Sequence, residues 1–251
     1  MRLKDSFHSP AVVAALVLKR LGSLADGKRA SEVQRYFKET VRSFGVSSPQ
    51  VRALAKELHD SIKKEWLIRD AIKLCDLLFP RPELEAKGVA ALILARYHKS
   101  FPRSLFRTVH SWLAQNYLDN WASVDVFCPQ VLGALLVKYP DLLSGIEKWA
   151  AEPNRWVQRA SIVAFLKLVK KTEYLNAAYA MTARHFANRD DLVQKANGWL
   201  LREAGKRDME RLEKFLLANG PLMPRTTLRY AIERFPSEKR KHLLMQTRIK
   251  K

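Results

Sequence analysis

The chain has 251 residues, 47% of them hydrophobic, which is enough for one extended domain or two small ones with a real core and excludes a disordered protein. Forty-five Lys and Arg against 25 Asp and Glu give a net charge of +20, so a polyanion such as nucleic acid is the first partner to consider and an acidic membrane surface the second. The excess is +6 in residues 1–70, +6 in 71–200 and +8 in 201–251, a surface basic along its length that suits tracking a duplex over several phosphates as well as mere solubility.

Taken in chain order, the first element is AVVAALVL (11–18), eight apolar residues ending in Lys19-Arg20. It is too short to cross a bilayer and reads as the stripe of an amphipathic helix, so no membrane is expected. VRALAKEL (51–58), VAALILARY (89–97), VLGALLVKY (131–139), SIVAFLKLV (161–169) and WLLREAG (199–205) follow with apolar residues at helical spacing. Breakers fall at 45–49, 80–82, 102, 140, 153–154, 220–224 and 236, and no stretch alternates as a strand would. The expected fold class is therefore all-α. SEKRKHLLMQTRIKK (237–251) reads as a basic, partly frayed tail of a single domain spanning 1–251.

Cys75 and Cys128 lie in apolar surroundings and fit reduced, buried thiols of a cytoplasmic protein. The six histidines stand apart from one another, each read as surface or half-buried, and no zinc spacing is visible, so neither metal nor cofactor is expected. Trp66, Trp112 and Trp149 read as core or inter-repeat packing, and the repeat position of Trp156 favours the core too.

Self-comparison places WVQRASIVAFLKLVKK (156–171) over LVQKANGWLLREAGKR (192–207) at an offset of 36, and twice that offset puts Lys87 under Arg159. A period of one helix pair implies stacked repeats, an α-solenoid of HEAT or armadillo type with a concave face. Lys87, Arg159 and Lys195 occupy one repeat position and would form a basic row facing DNA phosphates, or else merely solvate helix starts.

Asp125 in NWASVD (120–125) is a lone acid among apolar residues, with Trp121 four positions earlier and Arg159 and Trp199 about one and two periods further on. If the repeats stack in register, all four share a face. Read locally, Asp125 is equally an ordinary acid near a helix N-terminus. The blocks RYFK (35–38) with FGVSSPQVR (44–52), NWASVD with Pro129 and Gly133, WVQRA (156–160), VQKANGWLLRE (193–203) and PLMPRTTLRYAIE (221–233) stand in order along the chain. Through them the sequence resembles the HEAT-like-repeat alkylpurine DNA glycosylases of bacteria, the AlkD type, over essentially its full length. The resemblance implies Asp125 as the catalytic carboxylate flanked by Trp121 and Trp199 in a cleft. It also implies Tyr36 walling that cleft, and Arg159 beside the acid and near the DNA backbone. Asp191-Leu192 stands where the family often has an aromatic pair.

The chemistry accords with that resemblance. A purine alkylated at N3 or N7 is already cationic and leaves without a general acid, so one carboxylate suffices to steady the sugar cation and orient water. The expected partner is double-stranded DNA containing cationic alkylated bases, gripped by its backbone, with the protein acting as a monomer in the bacterial nucleoid. The alternative is a non-catalytic repeat protein that binds damaged or branched DNA.

Overall fold

The computed structural model describes residues 9–248. Helices account for nearly every element in it. The first half holds α1 (Pro10–Ser23), α2 (Gly27–Gln34), α3 (Ser48–Ile62), α4 (Ile68–Leu78), α5 (Leu84–Arg96), α6 (Leu105–Ala114) and α7 (Trp121–Gln130). The second holds α8 (Leu132–Lys138), α9 (Leu143–Trp149), α10 (Arg155–Val163), α11 (Phe165–Leu168), α12 (Leu175–Arg184), α13 (Asp191–Gly205), α14 (Met209–Asn219), α15 (Arg225–Ala231) and α16 (Ser237–Gln246). Among the described residues the only β-type pairing is an isolated bridge between Arg42 and Glu83. The fold is all-helical and built from repeated helix pairs, the α-solenoid class.

Chain contacts divide the protein into two compact units, one ending at Phe127 and the other beginning at Cys128. In the first, α1 packs on α4, and α5 takes both α3 and α4. Its interior is Leu21, Leu54, Leu58, Leu74, Phe79 and Leu94, essentially removed from solvent, each worth roughly 1.5–3 kcal/mol of burial. In the second, α13 packs against α10, α12, α14 and α15. Gly198 permits the approach of α15, because a Cβ there would meet the Thr227 carbonyl and the Tyr230 side chain. Trp66, Trp112, Trp149 and Trp156 are all buried, as read from the sequence.

The repeat is sharper in the structure than in the sequence. Residues 47, 83, 120, 154, 190 and 224 immediately precede α3, α5, α7, α10, α13 and α15, at steps of 36, 37, 34, 36 and 34. Four of them are side-chain caps that satisfy otherwise orphaned helix-start amides. Ser47 forms a capping box with Gln50, and Asn120 Oδ1 accepts from the Ser123 amide at 2.9 Å. Asn154 accepts from Trp156 and Val157, and Asp190 from Leu192 and Val193. At the 36-residue offset even the side-chain bonds repeat. Gln158 Nε2 donates to the Glu152 carbonyl and Gln194 Nε2 to that of Asn188, while Asn188 Nδ2 donates back to Gln158 Oε1 and links the two rungs.

Three expectations are corrected. The single helix read over 161–169 is interrupted at Ala164, where α8 comes close: a Cβ on Gly133 would lie 2.7 Å from the Ala164 carbonyl oxygen. The C-terminal segment is docked over Ser237–Arg248, not frayed. There Leu243 of α16 and Thr247 just beyond it are buried, and Arg225 donates to the carbonyls of Leu244 and Thr247, holding the carbonyl-rich end of that helix with a cation. Residues 249–251 of the segment lie outside the described residues, as does His8. His185, read as a surface or half-buried residue, is 1% exposed. Both cysteines are buried and outside any disulfide, and burial together with the Asp76 carboxylate pushes the Cys75 thiol well up.

One segment of the described residues, Trp121–Lys138, is long and apolar enough to cross a membrane, with mean hydropathy 1.2. It is broken at Val131, after Pro129, which has no N–H to continue the helical ladder, and 56% of it is buried inside the protein.

The surroundings of His185 fix its protonation. The Ser161 hydroxyl donates to the Gln158 carbonyl, so it accepts from His185 Nε2–H at 3.1 Å, and Nδ1 remains without a partner. Burial, with Arg184 adding to it, lowers the imidazole from 6.5 to about 4. The unfolded chain therefore takes up a proton below pH 6.5 that the folded one refuses until about 4. Stability is at its full value above 6.5 and falls by up to about 3 kcal/mol on acidification towards 4. Denaturant titrations between pH 7 and 4 should show this slope, and His185→Leu should flatten it.

Candidate functional site

Each unit has a helix with an aromatic and a charged side chain on one flank. In the first unit this is α7. Val124, Phe127 and Cys128 point inward and are fully buried, so the four-residue spacing puts Trp121 and Asp125 together on a neighbouring flank, each half-buried. Phe37 stacks on Trp121 with ring centroids 5.0 Å apart and planes 19° from parallel, which fixes the indole and leaves part of its surface open.

The segment presenting Phe37 is built with care. Gln34, the last residue of α2, donates from Nε2 to the carbonyls of Phe37 and Glu39 and accepts at Oε1 from the Val41 amide. Tyr36 stands out of this stapled loop, 75% exposed, with Arg35 and Lys38 exposed on either side. Beyond it the chain turns through Gly45, whose φ of 76° belongs to the left-handed region and whose missing Cβ would collide with the Asp26 carbonyl. Glu85, on α5, is buried and accepts from the Ser43 hydroxyl at 2.6 Å, the Phe44 amide at 3.0 Å and the Val46 amide at 3.1 Å. The FGVSS block thus serves as an anchor.

In the second unit the corresponding helix is α13. Asp191, Lys195 and Trp199 fall on one flank at successive four-residue steps. Lys195 Nζ lies 2.8 Å from Asp191 Oδ2, and that hydrogen bond is the main reason its ammonium titrates above the usual lysine value. Trp199 is half-buried. Arg159, on α10, is 5% exposed and donates from its guanidinium to the Leu192 carbonyl in the first turn of α13.

The row of equivalent phosphate-facing cations is corrected by these positions. Lys87 is 2% exposed and its Nζ sits 2.6 Å from Asp119 Oδ1. Lys87 and Arg159 each reach forward to the start of the helix in the next repeat, Lys87 to residue 119 and Arg159 to residue 192. At this position the repeat uses its cation mainly as a tie, and Lys195 alone of the three keeps substantial exposure. Sequence reasoning passed over Phe37, although it lies within RYFK, because no spacing rule joins it to Trp121. Gln34, Glu85 and Asp119 were passed over as well, being polar residues whose partners are distant in sequence.

The family described as DNA alkylation repair enzyme matches residues 17–235, most of the chain. The chain belongs to that family. A solved structure described as a predicted DNA alkylation repair enzyme from Enterococcus faecalis superposes with a TM-score of 0.72, covering 85% of this chain and 97% of its own, at 19% sequence identity. That likeness is one of fold. No curated protein matches. Membership makes this an enzyme family of alkylation-damage repair, with DNA as substrate.

Replacing Gln34 by Ala removes three bonds worth roughly 0.5–1.5 kcal/mol each from the loop and none from the core. Limited trypsinolysis at Arg35 and Lys38 should accelerate by about tenfold or more while the melting temperature stays within a few degrees.

Proposed function

We propose that this alkylation-repair protein is a monofunctional DNA glycosylase that hydrolyses the N-glycosidic bond of N3- or N7-alkylated purines in duplex DNA. One observation carries the reading: a carboxylate and a fixed, partly open indole, Asp125 and Trp121, one turn apart on the flank of α7. Such a lesion carries its own positive charge, so the base departs without protonation. The remaining task is to steady the positive charge that develops on the deoxyribose and to orient a water, which one anion does. Asp125 takes that role, and the Trp121 face receives the cationic base or sugar at roughly 0.5–2 kcal/mol.

In the other unit, Trp199 of α13 offers an aromatic surface of its own, and Lys195 one turn earlier on the same flank meets phosphate. Arg159, nearly buried with its guanidinium anchored on the helix-start carbonyl of Leu192, acts near the backbone by holding the first turn of α13. Tyr36 packs against the sugar-phosphate chain from its stapled loop. A net charge of +20 supplies the salt-dependent part of affinity. Because recognition runs through the backbone and the lesion's own charge, bulky cationic adducts are admitted and neutral damaged bases are poor substrates. Nothing in the chain singles out an amine for Schiff-base chemistry, so the product is an intact abasic site.

Base release from duplex DNA carrying 7-methylguanine or 3-methyladenine tests the reading. Asp125→Asn should lower the single-turnover rate by about a hundredfold or more while leaving DNA affinity nearly unchanged. Equal release by both proteins would remove Asp125 from the mechanism. Tight, salt-dependent binding without any release would leave a binding-only protein.

A further inference from the structure

The proposed chemistry leaves one buried charge without a task. Lys87 has a side chain only 3% exposed, and its ammonium is held by Asp119 Oδ1 at 2.6 Å. A buried cation is tolerated only with a hydrogen-bonded counter-charge. Asp119, itself 49% exposed, therefore cannot swing into solvent without stranding Lys87. The same Oδ1 accepts from Asn120 Nδ2 at 3.0 Å. Asn120, buried in turn, caps α7 by accepting from the Ser123 amide at 2.9 Å. Trp121 is the next residue, and Asp125 follows one turn later.

Two residues earlier on the same helix, Glu85 grips the Ser43 hydroxyl and the Phe44 and Val46 amides, which follow the loop carrying Phe37. One helix, α5, thus secures the start of α7 with one charge and the loop opposite Trp121 with another. The Phe37–Trp121 stack closes the circuit.

We infer that Lys87 is a positioning residue, acting through Asp119 and Asn120 to set the azimuth and height of Trp121 and Asp125, and not a phosphate ligand. The inference rests on the glycosylase reading for its catalytic consequence, but its structural half stands alone. Misplacement of a carboxylate by about an ångström is enough to lower a rate severely without touching affinity.

The test uses the full chain on duplex DNA carrying 7-methylguanine under single-turnover conditions, with DNA affinity measured separately and amide exchange followed at Ser123 and Val124. Lys87→Met and Asp119→Asn should each lower the rate constant by about tenfold or more, move the dissociation constant by less than about threefold, and hasten exchange at both amides. Lys87→Met, which leaves only the half-exposed Asp119 unpaired, keeps the test available should Asp119→Asn, which strands Lys87, fail to fold. The double variant removes the buried charge that Asp119→Asn strands and should regain the melting temperature lost by Asp119→Asn without regaining the rate.

A native rate in Asp119→Asn overturns the inference. So does weakened DNA binding at native rate in Lys87→Met, as a phosphate contact would give, or a rate that recovers together with the melting temperature in the double variant. Should the wild type release no base, the glycosylase reading fails by itself; unchanged exchange at Ser123 and Val124 in Asp119→Asn would then sink the positioning role independently.

Discussion

A charge taken out of water must find an opposite charge or a set of hydrogen bonds, and this chain meets that requirement at the seams between its repeats. Glu85 satisfies three donors from the segment ahead of α3, Lys87 is neutralised just ahead of α7, and Arg159 bonds into the first turn of α13. Apolar burial makes the helices adhere but is indifferent to small slides between them. Polar partners are not, because hydrogen bonds weaken steeply with distance and angle. The register of successive helix starts follows from these ties.

That register matters because each proposed chemical flank lies close behind a helix start. Trp121 and Asp125 occupy the first and second turns of α7, and Asp191 and Lys195 the first turns of α13. A side chain so near a cap inherits the precision of the cap, and the capping residues Asn120 and Asp190 are themselves held, Asn120 by donating to Asp119 and Asp190 by donating its amide to Asn188. The loop with Tyr36 lacks helical support and relies on Gln34 and the left-handed turn at Gly45. Rigidity in the proposed site is thus supplied by short polar contacts at element ends more than by the hydrophobic interior.

Much of the fold was legible in the sequence, since helical periodicity and breakers depend on neighbours three and four residues away. The 36-residue offset surfaced because Gln158 and Gln194 hold the same position in successive repeats and bond in the same way. What escaped depends on partners far along the chain. A lysine at the start of an apolar helix looks solvated until Asp119, 32 residues on, is seen to hold it. His185 reads as a surface or half-buried histidine until Ser161 and the surrounding burial are known, and the basic C-terminal segment reads as a tail until Leu243 and Thr247 are found inside. At the candidate site, spacing alone joined Trp121 to Asp125. The roles given to Trp199, Tyr36 and Arg159 came from the family resemblance, and the stack of Phe37 on Trp121 was visible in neither.

The paired glutamine rungs carry a corollary for how such a chain can grow. Gln158 takes its acceptor from residue 152 and its donor from residue 188, while Gln194 takes its acceptor from 188. Copying the stretch 154–189 in tandem would supply a further copy of Gln158, of Asn188 and of the Asn154 cap, so every rung would still find both neighbours. An insert one or two residues longer or shorter would leave amides facing empty space. Lengthening by whole modules is therefore the route this architecture leaves open to evolution or to an engineer.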